Sequence, residues 1–78
     1  MKLFLSPRCA ACEEVKRRVD LDHVPGLTLC LLHNDLEAWA EADMLDVLST
    51  PTLVLDRGTH VCGVENILAR LKEAENGE

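Results

Sequence analysis

Aromatic side chains are nearly missing from this chain: one Phe, one Trp and no Tyr in 78 residues. A surface that stacks nucleic-acid bases therefore has almost nothing to be built from. Basic residues are scarce too. Eight Lys and Arg face fourteen Asp and Glu, for a net charge of −6. That balance opposes binding to phosphate backbones and anionic lipid, both of which reward clustered cations. No apolar run approaches the roughly 20 residues of a membrane-crossing helix. Internal repeats and low-complexity segments are absent as well.

What remains is a chain that is 47% apolar, rich in Leu and Val. It is long enough for one domain, 1–78, near the size where a single core is barely sufficient. The tail from about Glu75 to Glu78 reads as frayed. With no apolar leader ahead of the first strand, the expectation is a cytoplasmic protein. In that compartment four cysteines do not read as a secreted disulfide scaffold.

Two of the cysteines form Cys9-Ala10-Ala11-Cys12. They follow an apolar strand, Lys2–Leu5, and the turn Ser6-Pro7-Arg8, and they open a helix expected over Ala10–Leu21. The spacing suits reversible thiol–disulfide chemistry, or capture of a soft metal ion such as Cu or Zn. Arg8, Lys16, Arg17 and Arg18 make a local basic patch. It reads as a solvated helix face, or as a field that favours thiolate and greets an anionic partner. Cys12, Val15 and Val19 share the apolar face of this helix, and the pairs Glu13–Arg17 and Glu14–Arg18 have the favourable i,i+4 order.

Pro25-Gly26 marks a turn. The apolar run Leu27–Leu32 reads as a strand of a covered parallel sheet. Asn34 or Asp35 would cap a second helix, with Leu36, Trp39, Ala40 and Leu45 on its core face and its end near Met44. Thr52–Leu55 reads as a strand, Asp56-Arg57-Gly58-Thr59 as a hairpin turn and His60–Cys62 as the return strand. A last helix, Glu65 to about Ala74, buries Ile67, Leu68 and Leu71. The order is βαβαββα: an α/β fold with a mixed four-stranded sheet, a right-handed parallel crossover and helices on both faces.

At three places the chain resembles the thioredoxin fold in its smallest form, the glutaredoxin-like proteins. One is the strand, Ser6-Pro7-Arg8 and the dithiol opening a helix. Another is Val47-Leu48-Ser49-Thr50-Pro51-Thr52-Leu53-Val54, similar to the stretch that holds the family's cis-proline. The third is Gly58–Ile67, where Cys62-Gly63-Val64-Glu65-Asn66 stands at the family's Gly-Gly and acidic residue. Against the family pattern, Ala10-Ala11 separates the thiols, Ser6 takes a position often held by Lys, and Cys62 replaces the first Gly.

The resemblance implies a thiol–disulfide oxidoreductase acting on protein disulfides. Cys9, at the helix N-cap, would be the nucleophile, because unpaired N–H groups and the helix dipole favour its thiolate. Cys12 would resolve the mixed disulfide. Arg8, Thr50, Pro51, Gly63 and Glu65 would bind substrate, with a cis Pro51 exposing the Thr50 backbone. Glu65 would meet a peptide-like amine, or else stabilise the first turn of its helix. No bound cofactor is implied. The electrons would come from a protein reductase or glutathione, with the reductase favoured by the incomplete glutathione site. The partners would be a disulfide-containing protein and that thiol reductase, with no nucleic acid or membrane, and the protein itself a monomer.

Cys30 reads as a buried thiol and Cys62 as packing rather than redox. His23, His33 and His60 show no ligand spacing and read as surface residues. Trp39 reads as core. A second resemblance, to heavy-metal-associated domains, rests on the dithiol and Pro25-Gly26. It lacks the Gly-Met that usually precedes that motif, and those domains end on a strand. An idle dithiol in a thioredoxin-fold interaction protein is the third reading.

Overall fold

Strand β1, Lys2–Leu5, lies inside the sheet with Leu3, Phe4 and Leu5 buried. Successive side chains in a strand point to opposite faces, so β1 feeds two cores. Leu3 and Leu5 join a cluster with Cys12, Val15, Leu53, Ile67, Leu68 and Leu71. Phe4 joins the other, with Cys30, Leu32, Ala38, Ala42 and Val54. The computed structural model describes residues 1–32 and 36–75. Asn34 and Asp35 as helix caps, His33 and the tail 76–78 lie outside the described residues.

The elements follow as α1 (Ala10–Arg18), β2 (Thr28–Leu31), α2 (Leu36–Met44), β3 (Thr52–Val54), β4 (His60–Cys62) and α3 (Val64–Glu75). Strand order is β2-β1-β3-β4. β1 and β2 are parallel, with Lys2 opposite Thr28 and Leu5 opposite Leu31. β3 runs antiparallel to β1, Phe4 opposite Thr52, and β4 antiparallel to β3, Thr52 opposite Cys62. This is the thioredoxin-like βαβαββα fold. The chain of described elements closes on a helix, where a heavy-metal-associated domain would close on a strand.

Helix α1 is shorter than its sequence pattern. Val19 turns extended, and its N–H still reaches the Val15 carbonyl at 3.2 Å. Asp20 then caps a 3₁₀ turn, Leu21–His23, by accepting the Asp22 N–H. On α1 the acidic residues pair mainly one turn away: Glu13 with Lys16 at 3.0 Å and Glu14 with Arg17. Of the two i,i+4 pairs, Glu14–Arg18 is present at 3.7 Å.

Strand β2 corrects the expectation of a covered strand. It sits at the edge, and only Cys30 of its four residues is buried. Leu29 and Leu31 are exposed and line a groove with Lys16 of α1 and with residues 19–22. Helix α2 corrects a second expectation. Its inward stripe is Ala38, Ala42 and, beyond the last turn, Leu45, an i, i+4, i+7 series. Leu36 is 84% and Trp39 53% exposed, and Ala40 is exposed too. Phe4, Leu32 and Val54 already fill this side of the sheet, so the helix packs through methyl groups and turns its bulky residues outward.

The end of α2 is a Schellman motif. The Asp46 N–H donates to the Asp43 carbonyl at 3.3 Å and the Val47 N–H to that of Ala42 at 2.8 Å. Asp46 takes the left-handed position (φ 58°) where glycine is usual. Gly58 (φ 84°) serves the β3–β4 hairpin, its N–H donating to the Leu55 carbonyl at 2.8 Å. Gly63 (φ 90°) turns the chain into α3, its carbonyl accepting the Ile67 N–H at 3.0 Å. Ile67, Leu68 and Leu71 are buried as their spacing predicts.

Candidate redox-active dithiol site

The site begins at the carboxyl end of β1. Ser6 and Pro7 carry the chain off the sheet, and exposed Arg8 takes a left-handed conformation (φ 57°). That bend delivers Cys9 to the N-cap of α1, with extended φ and ψ of −115° and 107°. Its Sγ accepts the Cys12 N–H at 3.1 Å, the capping bond that Ser or Asp usually supplies. Cys9 and Cys12 are joined by a disulfide. Cys12 is fully buried and Cys9 half-buried, so one sulfur of the pair is presented at the surface.

The segment before β3 meets this disulfide from across the fold. Cys9 Sγ lies 3.7 Å from the Thr50 carbonyl oxygen and 3.9 Å from Thr50 Oγ1. A disulfide sulfur has no proton to give, so the carbonyl approach is a contact here and becomes a hydrogen bond only for the thiol. Thr50 Oγ1 is also 2.6 Å from Ser6 Oγ. The Thr50–Pro51 peptide bond is cis, and Pro51 is buried. Thr52, the one buried polar side chain among the described residues, donates its hydroxyl to the Ser49 carbonyl at 2.7 Å. This bond fastens residues 49–52 against the start of β3.

Beside Thr50 lies a shallow cleft. Leu32, Trp39, Val47 and Leu48 form its apolar wall, and Ser6 and Thr50 its polar one. Leu48 is 94% exposed. The sequence reading missed this use of Trp39. The signal that could have found it is the competing alanine stripe on α2, which leaves Trp39 on the flank.

Of the residues singled out in the sequence, Cys9, Cys12 and Thr50 come together, with Pro51 next in the chain. Arg8 adjoins Cys9 but points into solvent. Gly63 and Glu65 belong to the head of α3. There the Glu65 carboxylate accepts from Arg18 Nη1 at 2.8 Å, and this bond raises the basicity of the guanidinium. Arg18 is nine residues beyond Cys9, about 13 Å along the helix axis. Glu65 is thus directed to the last turn of α1, while the dithiol is at its first.

Cys30 is buried and Cys62 an exposed thiol 3.9 Å from Thr52 Oγ1. Among the described residues no three His, Cys, Asp or Glu side chains converge to hold a metal ion. No described helix is long and apolar enough to cross a membrane. Comparison with known protein families, with curated proteins and with solved structures finds no match to this chain. Fold and site are consistent with redox-active disulfide chemistry on a thioredoxin-like scaffold.

Proposed function

We propose that the protein is a thiol–disulfide oxidoreductase that reduces disulfides in other proteins. One observation carries this reading. A sulfur caps a helix N-terminus, its disulfide partner is buried beneath it, and an apolar cleft and a peptide backbone lie alongside.

In the reduced protein, the Cys9 thiolate attacks one sulfur of the substrate disulfide. A Cys9–substrate bond forms, and the other substrate sulfur leaves as thiolate. Cys12 loses its proton to water and attacks Cys9 Sγ. The mixed disulfide breaks, the second substrate thiolate departs, and two electrons have passed from the dithiol to the substrate. That step leaves Cys9 and Cys12 joined as a disulfide. A dithiol reductase, or two molecules of glutathione, returns it to the dithiol.

The substrate is an extended segment flanking a disulfide. Its backbone lies along Thr50, and an apolar side chain next to its cysteine enters the cleft lined by Trp39 and Leu48. The helix N-terminus supports the nucleophile, since such positions bring cysteine pKa values from about 8.5 to roughly 3.5–7.5. Arg8 adds positive potential from the solvent side. Gly63 and Glu65 are proposed as an outer contact for the substrate chain, Gly63 following Cys62, which stands opposite Thr52 in the β3–β4 ladder. The cytoplasm, where thiols are kept reduced, suits this direction of electron flow.

The test is reduction of insulin by dithiothreitol. Turnover by the wild type well above a Cys9→Ser control supports the reading. Equal rates for the two proteins would overturn it.

A further inference from the structure

We infer that Ser6 is a positioning residue for the Cys9 thiolate, acting through the hydroxyl of Thr50. The inference rests on the reading of Cys9 as the ionising sulfur. It names what orders the polar groups around that sulfur.

The geometry is a chain of three atoms drawn from two parts of the sequence, Ser6 and Cys9 from the turn after β1 and Thr50 from the segment before β3. Ser6 Oγ is 2.6 Å from Thr50 Oγ1, and Thr50 Oγ1 is 3.9 Å from Cys9 Sγ. A hydroxyl has one proton to donate and two lone pairs to accept with. Thr50 cannot donate to Ser6 and to Cys9 at once. In the disulfide, Cys9 Sγ is a weak acceptor, already served by the Cys12 N–H at 3.1 Å, and either hydroxyl can be the donor of the short pair. A thiolate is a charged acceptor and attracts the Thr50 proton. Ser6 must then donate to Thr50, and doing so polarises the second bond toward the sulfur. Reduction thereby selects one proton order out of two.

Alternatives for this role are few among the charged groups. Arg8 precedes Cys9 and is exposed. Glu13 and Lys16 on α1 are paired with each other, and Glu14 is held by Arg17 and Arg18. Glu65, at the head of α3, is turned to Arg18. Cys12 is the buried partner thiol. Residues 49–51 bring hydroxyls and carbonyls and no charge. The Thr50 carbonyl, 3.7 Å from the sulfur, presents its negative end and opposes the thiolate. The Thr50 hydroxyl, paired with that of Ser6, is what that segment offers in its favour.

The test is the pH profile of Cys9 alkylation by iodoacetamide in reduced protein. A Cys62→Ser background removes the other exposed thiol, and peptide mass identifies the site. Thr50→Val should lower the thiolate fraction below the midpoint about tenfold, a shift of one pH unit. Ser6→Ala should lower it up to about twofold, the cooperative share of that bond. Ser6→Thr and Thr50→Ser should restore the wild-type midpoint. In Thr50→Val protein, adding Ser6→Ala should shift the midpoint no further.

An unmoved midpoint in Ser6→Ala, or the same shift with and without the Thr50 hydroxyl, would overturn the inference. So would failure of Ser6→Thr to rescue in a folded protein, since a structural tie would suffice to explain that. If Ser6→Ala does not fold, the comparison of Thr50→Val with Thr50→Ser decides, and equal midpoints reject the role. A Cys9 inert to alkylation in the wild type would reject the oxidoreductase reading itself. A reactive Cys9 indifferent to Ser6 would reject only the hydroxyl relay.

Discussion

Cys9 Sγ and the Thr50 carbonyl oxygen lie 3.7 Å apart although the two residues are 41 positions apart in the chain. This contact joins the two halves of the site. One half is local, a sulfur at a helix N-cap. The other arrives with the segment that leads into β3. Under the proposed function, a substrate chain lying along Thr50 would have its recognised backbone beside the reacting sulfur.

Replacing Cys12 with Ser should leave the attack by Cys9 intact and remove the resolving step. The mixed disulfide with a protein substrate should then accumulate, while steady turnover falls to the Cys9→Ser level. A mass increase equal to the substrate, reversed by dithiothreitol, is the measurement. A full rate in the Cys12→Ser protein would show that an external thiol does the resolving.

Neighbouring residues on α2 should respond in opposite ways. Trp39→Ala removes a half-exposed ring and should cost about 0.5 kcal/mol of stability. A core tryptophan would cost about 3–5 kcal/mol. The same change should weaken kcat/KM for peptide disulfides flanked by apolar residues. Ala38→Leu forces extra volume between α2 and the sheet and should cost about 1–3 kcal/mol without touching the cleft. Urea unfolding of the three proteins separates these outcomes.

Asp46→Gly should stabilise the fold by about 0.5 kcal/mol. The left-handed conformation at this position suits glycine, and the change removes a negative charge at the negative end of α2. The larger freedom of glycine in the unfolded chain takes back part of the gain. A lower denaturant midpoint would mean that the Asp46 side chain supports the turn in another way.

Lys2 on β1 is hydrogen-bonded to Glu41 on α2, and this bond, with the attraction of the carboxylate, raises the lysine above its ordinary 10.5. A cation whose folded-state pKa is raised adds stability in full below its unfolded value. That contribution fades as pH rises through the higher, folded value. The difference in stability between wild type and Lys2→Met should therefore be constant at neutral pH and shrink above about pH 10.5. Both partners are well exposed, so the effect is small and weakens with salt. Denaturant midpoints of both proteins across the alkaline range provide the check.

Much of the fold could be read from order and spacing. Leu3 to Leu5 is a short apolar run, Asp56–Thr59 a turn signal and Ile67, Leu68, Leu71 a helical stripe, and each folds as its pattern dictates. Helix α2 has two competing stripes. Hydrophobicity favours Leu36 and Trp39, while the space beside Phe4 and Val54 admits Ala38 and Ala42. Leu29 and Leu31 are as apolar as a covered strand requires, yet among the described residues β2 has no strand on its outer side. Neither outcome is encoded locally, because both depend on what another element has already filled or left open.

The dithiol at a helix N-terminus was determined by the sequence alone, since capping and the Cys-x-x-Cys spacing are properties of a few consecutive residues. Only the tertiary structure decided that Ser6 and Thr50 share a hydrogen bond beside Cys9, that Trp39 borders their cleft and that Glu65 turns to Arg18. Side chains far apart in the chain meet where strand pairing and helix packing place them. That placement is set by the summed volume and hydrogen bonding of the whole core, which no local pattern contains.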